Sequence, residues 1–138
     1  MQKSAIFLTA VILVVALAAS AWAHHSFTAE FDIFQPVVVE GKITKVAWIN
    51  PHIQIYVDGK DNQAGKQNVW QFESWGTRNM RQAGINREKL AAGTTVKIRA
   101  YNAKIRPNFA YLRNITFPDG TTFELWVGGA EGKPEEQK

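Results

Sequence analysis

The stretch Pro36–Ile49, PVVVEGKITKVAWI, decides the fold of this chain. Its odd positions over Val37–Ile43 are apolar or glycine, which is the two-residue period of one buried face of a β-strand. The apolar pattern resumes at Val46, one position out of phase, so one extra residue lies near Thr44–Lys45. An extra residue of this kind is a β-bulge, and a bulge bends its strand. The stretch therefore predicts a long, bent first strand.

The residues that follow continue the β pattern. Asn50–Pro51 marks a turn, and the alternation of apolar and polar residues over Ile53–Val57 predicts a second strand. After the polar loop Gly59–Gln67, a third strand is predicted at Val69–Glu73. Later strands are predicted at Thr95–Tyr101, Phe109–Phe117 and Thr121–Val127.

Between the third and fourth strands the residues favour helix. Helix formers occupy Thr77–Gln82 and Asn86–Ala92, and Gly84 separates the two stretches. We expect two short helical turns, with Asn86 capping the second, because an Asn side chain accepts hydrogen bonds from the unpaired N–H groups at a helix start.

This order of elements, with a long and bent first strand, predicts an all-β protein that forms a small OB-like Greek-key barrel. An open β-sandwich is the alternative, since strand order alone does not establish closure. We expect one core, made of Ile43, Val46, Trp48, Ile53, Ile55, Val57, Trp70, Phe72, Val96, Ile98, Leu112 and Ile115.

The amino terminus has the three parts of an export signal. Lys3 precedes the apolar run Ala5–Ala19, and Ala21-x-Ala23 is a small-x-small cleavage site. The run of about 15 residues is shorter than the roughly 20 that span a bilayer. We therefore expect residues 1–23 to be a cleaved signal peptide. The mature protein is then periplasmic or secreted, with no membrane span after cleavage.

The mature chain has the size of one domain. We divide it into an N-terminal arm, residues 24–35, an OB-like barrel domain, residues 36–128, and a flexible polar tail, residues 129–138. Without Lys3 the 16 basic residues become 15, against 12 acidic residues, and this excess is too small to predict a polyanionic partner. The chain has no cysteine, so its stability depends on its core alone.

Several motifs of the mature chain resemble a known family. They are Ala23-His24-His25-Ser26-Phe27, Glu30-Phe31-Asp32 and Gly41-x-Ile43-Thr44-x-Val46-x-Trp48-x-Asn50-Pro51-His52. The resemblance continues through Trp70 and Gly93-x-x-Val96 to Leu112-x-x-Ile115-x-Phe117-Pro118-Asp119-Gly120. On these motifs the chain resembles an uncharacterised exported bacterial family, domain of unknown function 6152. The resemblance implies export and one small β domain, with no established activity.

The three histidines form the first candidate site. Cleavage of the signal peptide makes His24 the amino terminus, so its α-amine and imidazole can chelate one metal ion, with His25 or His52 completing a nitrogen set. A metal ion displaces the amine proton near neutral pH, and nitrogen-rich sites favour copper as Cu(II). Zinc is the alternative if His25 and His52 bind it together with Asp32 or Glu30. In the simpler interpretation, the first two histidines only flank the cleavage site and His52 lies in a turn.

A second candidate site lies on the predicted barrel face. Basic and aromatic side chains are mixed there, as on OB surfaces that stack bases and contact phosphates. The predicted ligand-binding residues are Lys97, Arg99, Tyr101, Arg106 and Arg113, with Lys104, Phe109 and Tyr111 beside them. Export separates the protein from nucleic acid, so a small anionic ligand, a glycan or a protein partner is favoured. The alternative is an ordinary solvated strand face.

The sequence contains no recognisable catalytic motif. Neither Ser26 nor Ser74 lies in a nucleophile elbow, and the chain has no Gly-rich phosphate loop and no dinucleotide fingerprint. We therefore predict a binding protein, with copper as the first candidate ligand. A small enzyme is the least favoured class.

Overall fold

Six strands and two short helical segments make up residues 27–125, the part of the chain that the computed structural model describes. The strands are β1 (Phe31–Ala47), β2 (Gln54–Asp61), β3 (Gln67–Glu73), β4 (Thr95–Ala103), β5 (Phe109–Thr116) and β6 (Thr122–Glu124). Helix α1 (Thr77–Gln82) lies between β3 and β4, and residues 27–30 are also helical. The protein is thus mostly antiparallel β-sheet, as the apolar alternation predicts.

Strand β1 is irregular at the position where the sequence predicts a bulge. Its pairing with β2 shifts by one residue between Ile43 and Lys45, which confirms the bulge. Just before it, Gly41 lies opposite Gly59 of β2, and a Cβ on Gly41 would come within 2.2 Å of the Asp58 carbonyl oxygen. Only glycine permits such a close approach of two strands. β1 pairs with β2 on one side and with β4 on the other.

The sheet has the strand order β3-β2-β1-β4-β5-β6, and all of these neighbours are antiparallel. One further pairing joins β3 to β5 in parallel, with Gln71–Glu73 opposite Phe109–Tyr111. Two strands that are far apart in the order of the sheet therefore also meet directly. β6 is a short additional strand on β5.

The helical segment between β3 and β4 is shorter than expected. α1 confirms the first predicted turn, and the second stretch, Asn86–Ala92, forms hydrogen-bonded turns, with the Leu90 N–H donating to the Asn86 carbonyl at 3.2 Å, but no regular helix. Asn86 does cap the stretch, since its side-chain oxygen accepts the Lys89 backbone N–H at 2.9 Å. Ile85 and Leu90, directly before the cap and four residues after it, are both buried, which is the apolar pair that packs at the start of a helical turn.

The sheet carries two hydrophobic clusters. The larger one, the interior cluster, contains all the residues predicted for the core, with Val46 and Trp48 at its partly buried margin. The smaller one, the outer cluster, consists of Phe31, Tyr101, Phe109 and Tyr111, with Phe27, Ile33 and Ala103 packed against it. Neighbours in sequence belong to different clusters, as Ala100 and Tyr101 do, so the clusters lie on opposite faces of the same strands. The expectation of a single core did not include the outer cluster.

Several predicted features lie outside the described residues. These are the signal peptide 1–23, His24 and His25 in the arm, the end of the barrel domain and the tail 129–138. β1 begins at Phe31, inside the predicted arm, because this side chain packs into the outer cluster. Between residues 27 and 125 no helix combines the length and the apolar character needed to cross a membrane.

Candidate functional site

His52, the predicted metal ligand that lies among the described residues, is next to the outer cluster. Its ring meets the ring of Tyr111 edge-on, with 6.4 Å between the centroids. Tyr111 in turn contacts the ring of Phe27 edge-on at 5.0 Å. Phe27 belongs to the helical residues 27–30, and it also packs on Phe31 at 5.1 Å. Two ring contacts thus connect His52 to the first described residue of the chain.

A carboxylate holds the imidazole of His52. The Nδ1 atom lies 2.5 Å from Oε1 of Glu73, the last residue of β3. The His52 side chain is 45% exposed, whereas that of Glu73 is only 20% exposed. When a neutral histidine donates its Nδ1–H to a carboxylate, Nε2 carries the remaining lone pair and can bind a metal ion or a proton. Carboxylates occur in this position behind many metal-binding histidines.

Glu73 is one end of a hydrogen-bonded row on β2 and β3. Gln54 Nε2 donates to Glu73 Oε2 at 3.5 Å, and Gln71 Nε2 donates to Gln54 Oε1 at 3.1 Å. Arg106 ends the row by donating to Gln71 Oε1 at 3.3 Å, and its guanidinium carbon lies 3.7 Å from the centroid of the Phe109 ring. The row restrains the carboxylate that faces the imidazole.

Burial and a neighbouring charge keep Tyr111 protonated. Burial in the outer cluster, with a further contribution from the negative charge of Glu73, raises the pKa of Tyr111 to about 12. The phenol is therefore neutral throughout the physiological pH range. The neutral ring of Tyr111 lies between His52 and Phe27 and contacts both, and it does not serve as an ionised base.

Three of the five residues predicted to bind an anionic ligand line one cleft. The cleft has a volume of about 240 Å³, and its lining includes Arg99, Tyr101 and Arg113. Glu124 also lines it and lies 4.0 Å from Arg113, which in addition donates to the Leu125 carbonyl at 3.1 Å. Arg99 is exposed and makes no ion pair within residues 27–125. Arg99 therefore presents a charge without an ion-pair partner in the described chain to an anion in this cleft.

The other two predicted residues, Lys97 and Arg106, lie elsewhere. Lys97 forms an ion pair with Glu40 of β1 at 2.7 Å, and both side chains are mostly exposed. Arg106 lies in the loop between β4 and β5, where it ends the row that begins at Glu73. The structure therefore brings together only part of the predicted ligand-binding set.

Sequence reasoning missed Glu73 as the partner of His52. Strand alternation could have indicated it, because Gln54 lies opposite Glu73 when β2 and β3 pair as a hairpin, and His52 precedes Gln54 by two residues on the same face. Of the predicted zinc partners, Asp32 already accepts the Phe34 backbone N–H at 2.9 Å. Within the described part of the chain, no three His, Cys, Asp or Glu side chains gather as a metal-binding group.

Fold and site define a small, mostly antiparallel β-sheet protein in which a carboxylate orients a partly exposed histidine. The chain belongs to the family of unknown function DUF6152, whose sequence model matches residues 11–108. The predicted family is thereby confirmed, and the matched stretch ends just before β5, so the motif that begins at Leu112 lies outside it. No curated protein and no solved structure matches the chain.

Proposed function

We propose that this protein is an exported binding protein that holds a transition-metal ion, first of all Cu(II), at its mature amino terminus. The proposed ligands are the α-amine and imidazole of His24, the imidazole of His25 and Nε2 of His52. The observation that carries the proposal is the pair of ring contacts that links Phe27 to His52 through Tyr111.

The chain before Phe27 is long enough for the three histidines to meet. His25 and His24 precede Phe27 by two and three residues, and an extended chain of that length covers about 7 to 11 Å. The ring contacts from Phe27 to Tyr111 and from Tyr111 to His52 measure 5.0 and 6.4 Å between centroids. The reach of the terminus and the distance to be covered are therefore comparable.

The pairing of His52 with Glu73 supports the same proposal. The carboxylate occupies Nδ1, so Nε2 is the nitrogen that remains for a metal ion. A carboxylate in this position also restrains the orientation of the imidazole. About half of the His52 side chain is exposed, so an ion can reach it.

The donor set favours copper over zinc. It contains one amine and three imidazoles, and such nitrogen-rich sites bind Cu(II) most tightly among the divalent first-row ions. A tetrahedral zinc site would use a carboxylate such as Asp32 or Glu30.

We also propose that the fold is an OB-like Greek-key barrel. In support, the pairings of β1 with β2 and β4, together with the parallel β3–β5 pairing, run in the cycle β1-β2-β3-β5-β4. A five-stranded, partly open barrel has a cycle of this kind. OB proteins bind ligands on the face of strands 2 and 3, and the row of side chains that restrains Glu73 lies on β2 and β3.

Processing is tested first, because the amine exists only after cleavage. The intact mass of the exported protein should correspond to a chain that begins at His24. Retention of residues 1–23 would refute both the cleavage and the chelate.

Metal binding is tested by calorimetry and electron paramagnetic resonance on the mature protein. One extra alanine before His24 moves the amine away from the first imidazole, and copper affinity should fall about tenfold or more. The control is an alanine added after Lys138, which leaves all ligands in place. Unchanged affinity in the N-terminally extended variant would rule out the amine chelate. Unchanged affinity after joint replacement of His24 and His25 by alanine would rule out the terminal site altogether.

A second candidate function is anion binding in the cleft lined by Arg99, Tyr101 and Arg113. The observation in its favour is that Arg99 is exposed and has no ion-pair partner in the described chain. Arg99→Gln should weaken binding of a sulfated disaccharide about fivefold. Lys97→Gln removes a charge from the same strand outside the cleft and should leave binding unchanged; an equal loss in both variants would refute a specific site.

A further inference from the structure

We propose that a second, separate site lies in a cleft beside Trp70 and binds a small hydroxylated carboxylate of the size of an acidic monosaccharide. The cleft has a volume of about 370 Å³ and lies between the loop after β2 and the loop between β4 and β5. Its lining includes Asp61, Asn68, Trp70, Asn102, Lys104 and Arg106. His52 does not line it, so the proposal is independent of the metal site.

The indole of Trp70 provides a hydrogen-bond donor that has no acceptor. Trp70 is only 4% exposed, and its Nε1–H has no hydrogen-bond partner among residues 27–125. Leaving a buried donor unpaired costs free energy, and buried donors in proteins are almost always paired. The ring stacks on Phe72 at 6.0 Å between centroids, which restrains its orientation. An acceptor oxygen for this donor would have to come from outside the described chain.

Three amide side chains of the lining also have no hydrogen-bond partner among the described residues. Asn68, Asn102 and Asn108 line the cleft, and none of them makes a side-chain hydrogen bond within the described residues. An amide both donates and accepts hydrogen bonds, and so does a hydroxyl group. Several amides around one cleft thus match a ligand with several hydroxyl groups.

The charges of the lining sum to one positive charge. Lys104 and Arg106 are cationic and Asp61 is anionic, but Asp61 Oδ1 already accepts backbone N–H groups of its own loop. Lys104 donates to the Thr28 carbonyl at 2.6 Å, and Arg106 donates to Gln71. A lysine has three N–H donors and an arginine has five, so both keep donors for a ligand. The cleft therefore favours an anion over a neutral sugar.

These features together select a carboxylate that also carries hydroxyl groups. The volume of the cleft lies within the range of about 300 to 1,000 Å³ that is typical of small-molecule sites and accommodates one sugar ring. A free acidic monosaccharide and the terminal residue of an acidic glycan present the same chemistry to the cleft.

The test is an NMR titration of the metal-free, ¹⁵N-labelled mature protein with glucuronate. Trp70→Phe keeps an aromatic ring and removes the donor, so it identifies the Trp70 indole resonance. Glucuronate should shift this resonance saturably, and Arg106→Gln should weaken binding about fivefold or more. Lys97→Gln is the matched control, because Lys97 is a cation outside the cleft, and binding should be unchanged. A glucuronate-terminated oligosaccharide that binds more tightly than the monosaccharide would identify a glycan as the source.

Each contrary result would overturn a stated part of the proposal. A Trp70 resonance that does not move with glucuronate would overturn the proposal, since water alone would then satisfy the indole. Acetate as effective as glucuronate would overturn the hydroxylated class, and undiminished binding in Trp70→Phe would overturn the role of the indole. If Trp70→Phe does not fold, triple-resonance assignment of the native protein identifies the resonance, and Arg106→Gln supplies the deciding comparison.

Discussion

The interior and outer clusters lie on opposite faces of the same strands but differ in composition and in neighbours. The interior cluster is mainly aliphatic, and members such as Ile55 and Leu112 are fully buried. The outer cluster is aromatic, and His52 and Arg106 contact its rings. The face that buries most apolar surface and the face that carries the candidate metal site are therefore separate. A substitution in one cluster should therefore have little effect on the other cluster.

The largest effect on stability should come from the interior cluster. Phe72→Ala removes a fully buried ring and should lower the free energy of unfolding by about 3–5 kcal/mol, and Ile55→Ala by about 2–5 kcal/mol. Copper affinity of the folded protein should not change. Val69→Ala is the control, because Val69 is exposed on β3 and its replacement should cost less than about 0.5 kcal/mol. Urea unfolding measures all three, and a Phe72→Ala cost as small as the control would refute the assignment of the core.

A smaller and pH-dependent effect is expected at Asp61, next to the interior cluster. Backbone N–H groups of its own loop, chiefly that of Ala64, lower the pKa of Asp61. Asp61→Ala should cost about 1–3 kcal/mol at pH 7, because a charged acceptor of backbone N–H groups is lost. A lowered pKa in the folded protein means that this stabilisation is present above the unfolded pKa of about 3.9 and is lost as the pH falls through the folded value.

Chemical unfolding at pH 7 and at pH 3 tests this prediction. The difference between the native protein and Asp61→Ala should shrink at the lower pH. Asp58→Ala is the control, since Asp58 is exposed on β2. A difference that stays constant with pH would show that Asp61 does not act through its charge.

The outer cluster should affect the metal site more than it affects stability. Phe27→Ala removes three ring contacts, and its cost to stability should be about 1–2 kcal/mol. It should weaken copper binding about tenfold, because the chain before β1 is no longer held near His52. Phe34→Ala is the control, since Phe34 is almost fully exposed. If calorimetry shows that both variants bind copper like the native protein, the proposal that Phe27 holds the amino-terminal chain near His52 is wrong.

The smallest effect is expected at the exposed ion pair of Glu40 and Lys97. A double-mutant cycle with Glu40→Gln and Lys97→Gln should give a coupling energy of about 0.2–1 kcal/mol, and added salt should reduce it. A larger coupling that resists salt would show that this part of the surface is less solvated than its exposure indicates.

Local pattern predicted the elements that depend on neighbours in sequence. The bulge near Ile43 was predictable because one extra residue in a β-strand, a β-bulge, shifts the apolar alternation by one position. The cap at Asn86 was predictable because its side chain reaches a backbone N–H only three residues ahead. The segment after Asn86 forms one hydrogen-bonded turn and no regular helix, because helix propensity predicts the start of a helical segment better than its length.

By itself, the sequence determined the alternation of the strand faces that form the interior cluster, the place where β1 bends and twelve residues of that cluster. Only the tertiary structure decided that Glu73 faces His52, that Phe27 lies one ring away from it, and that the indole of Trp70 has no acceptor in the described chain. The alternation of apolar and polar residues follows from the pleat of a single strand, so it can be seen in the sequence of that strand alone. Contacts between distant residues depend on strand register and on the meeting of β3 with β5, which no local stretch of this chain specifies.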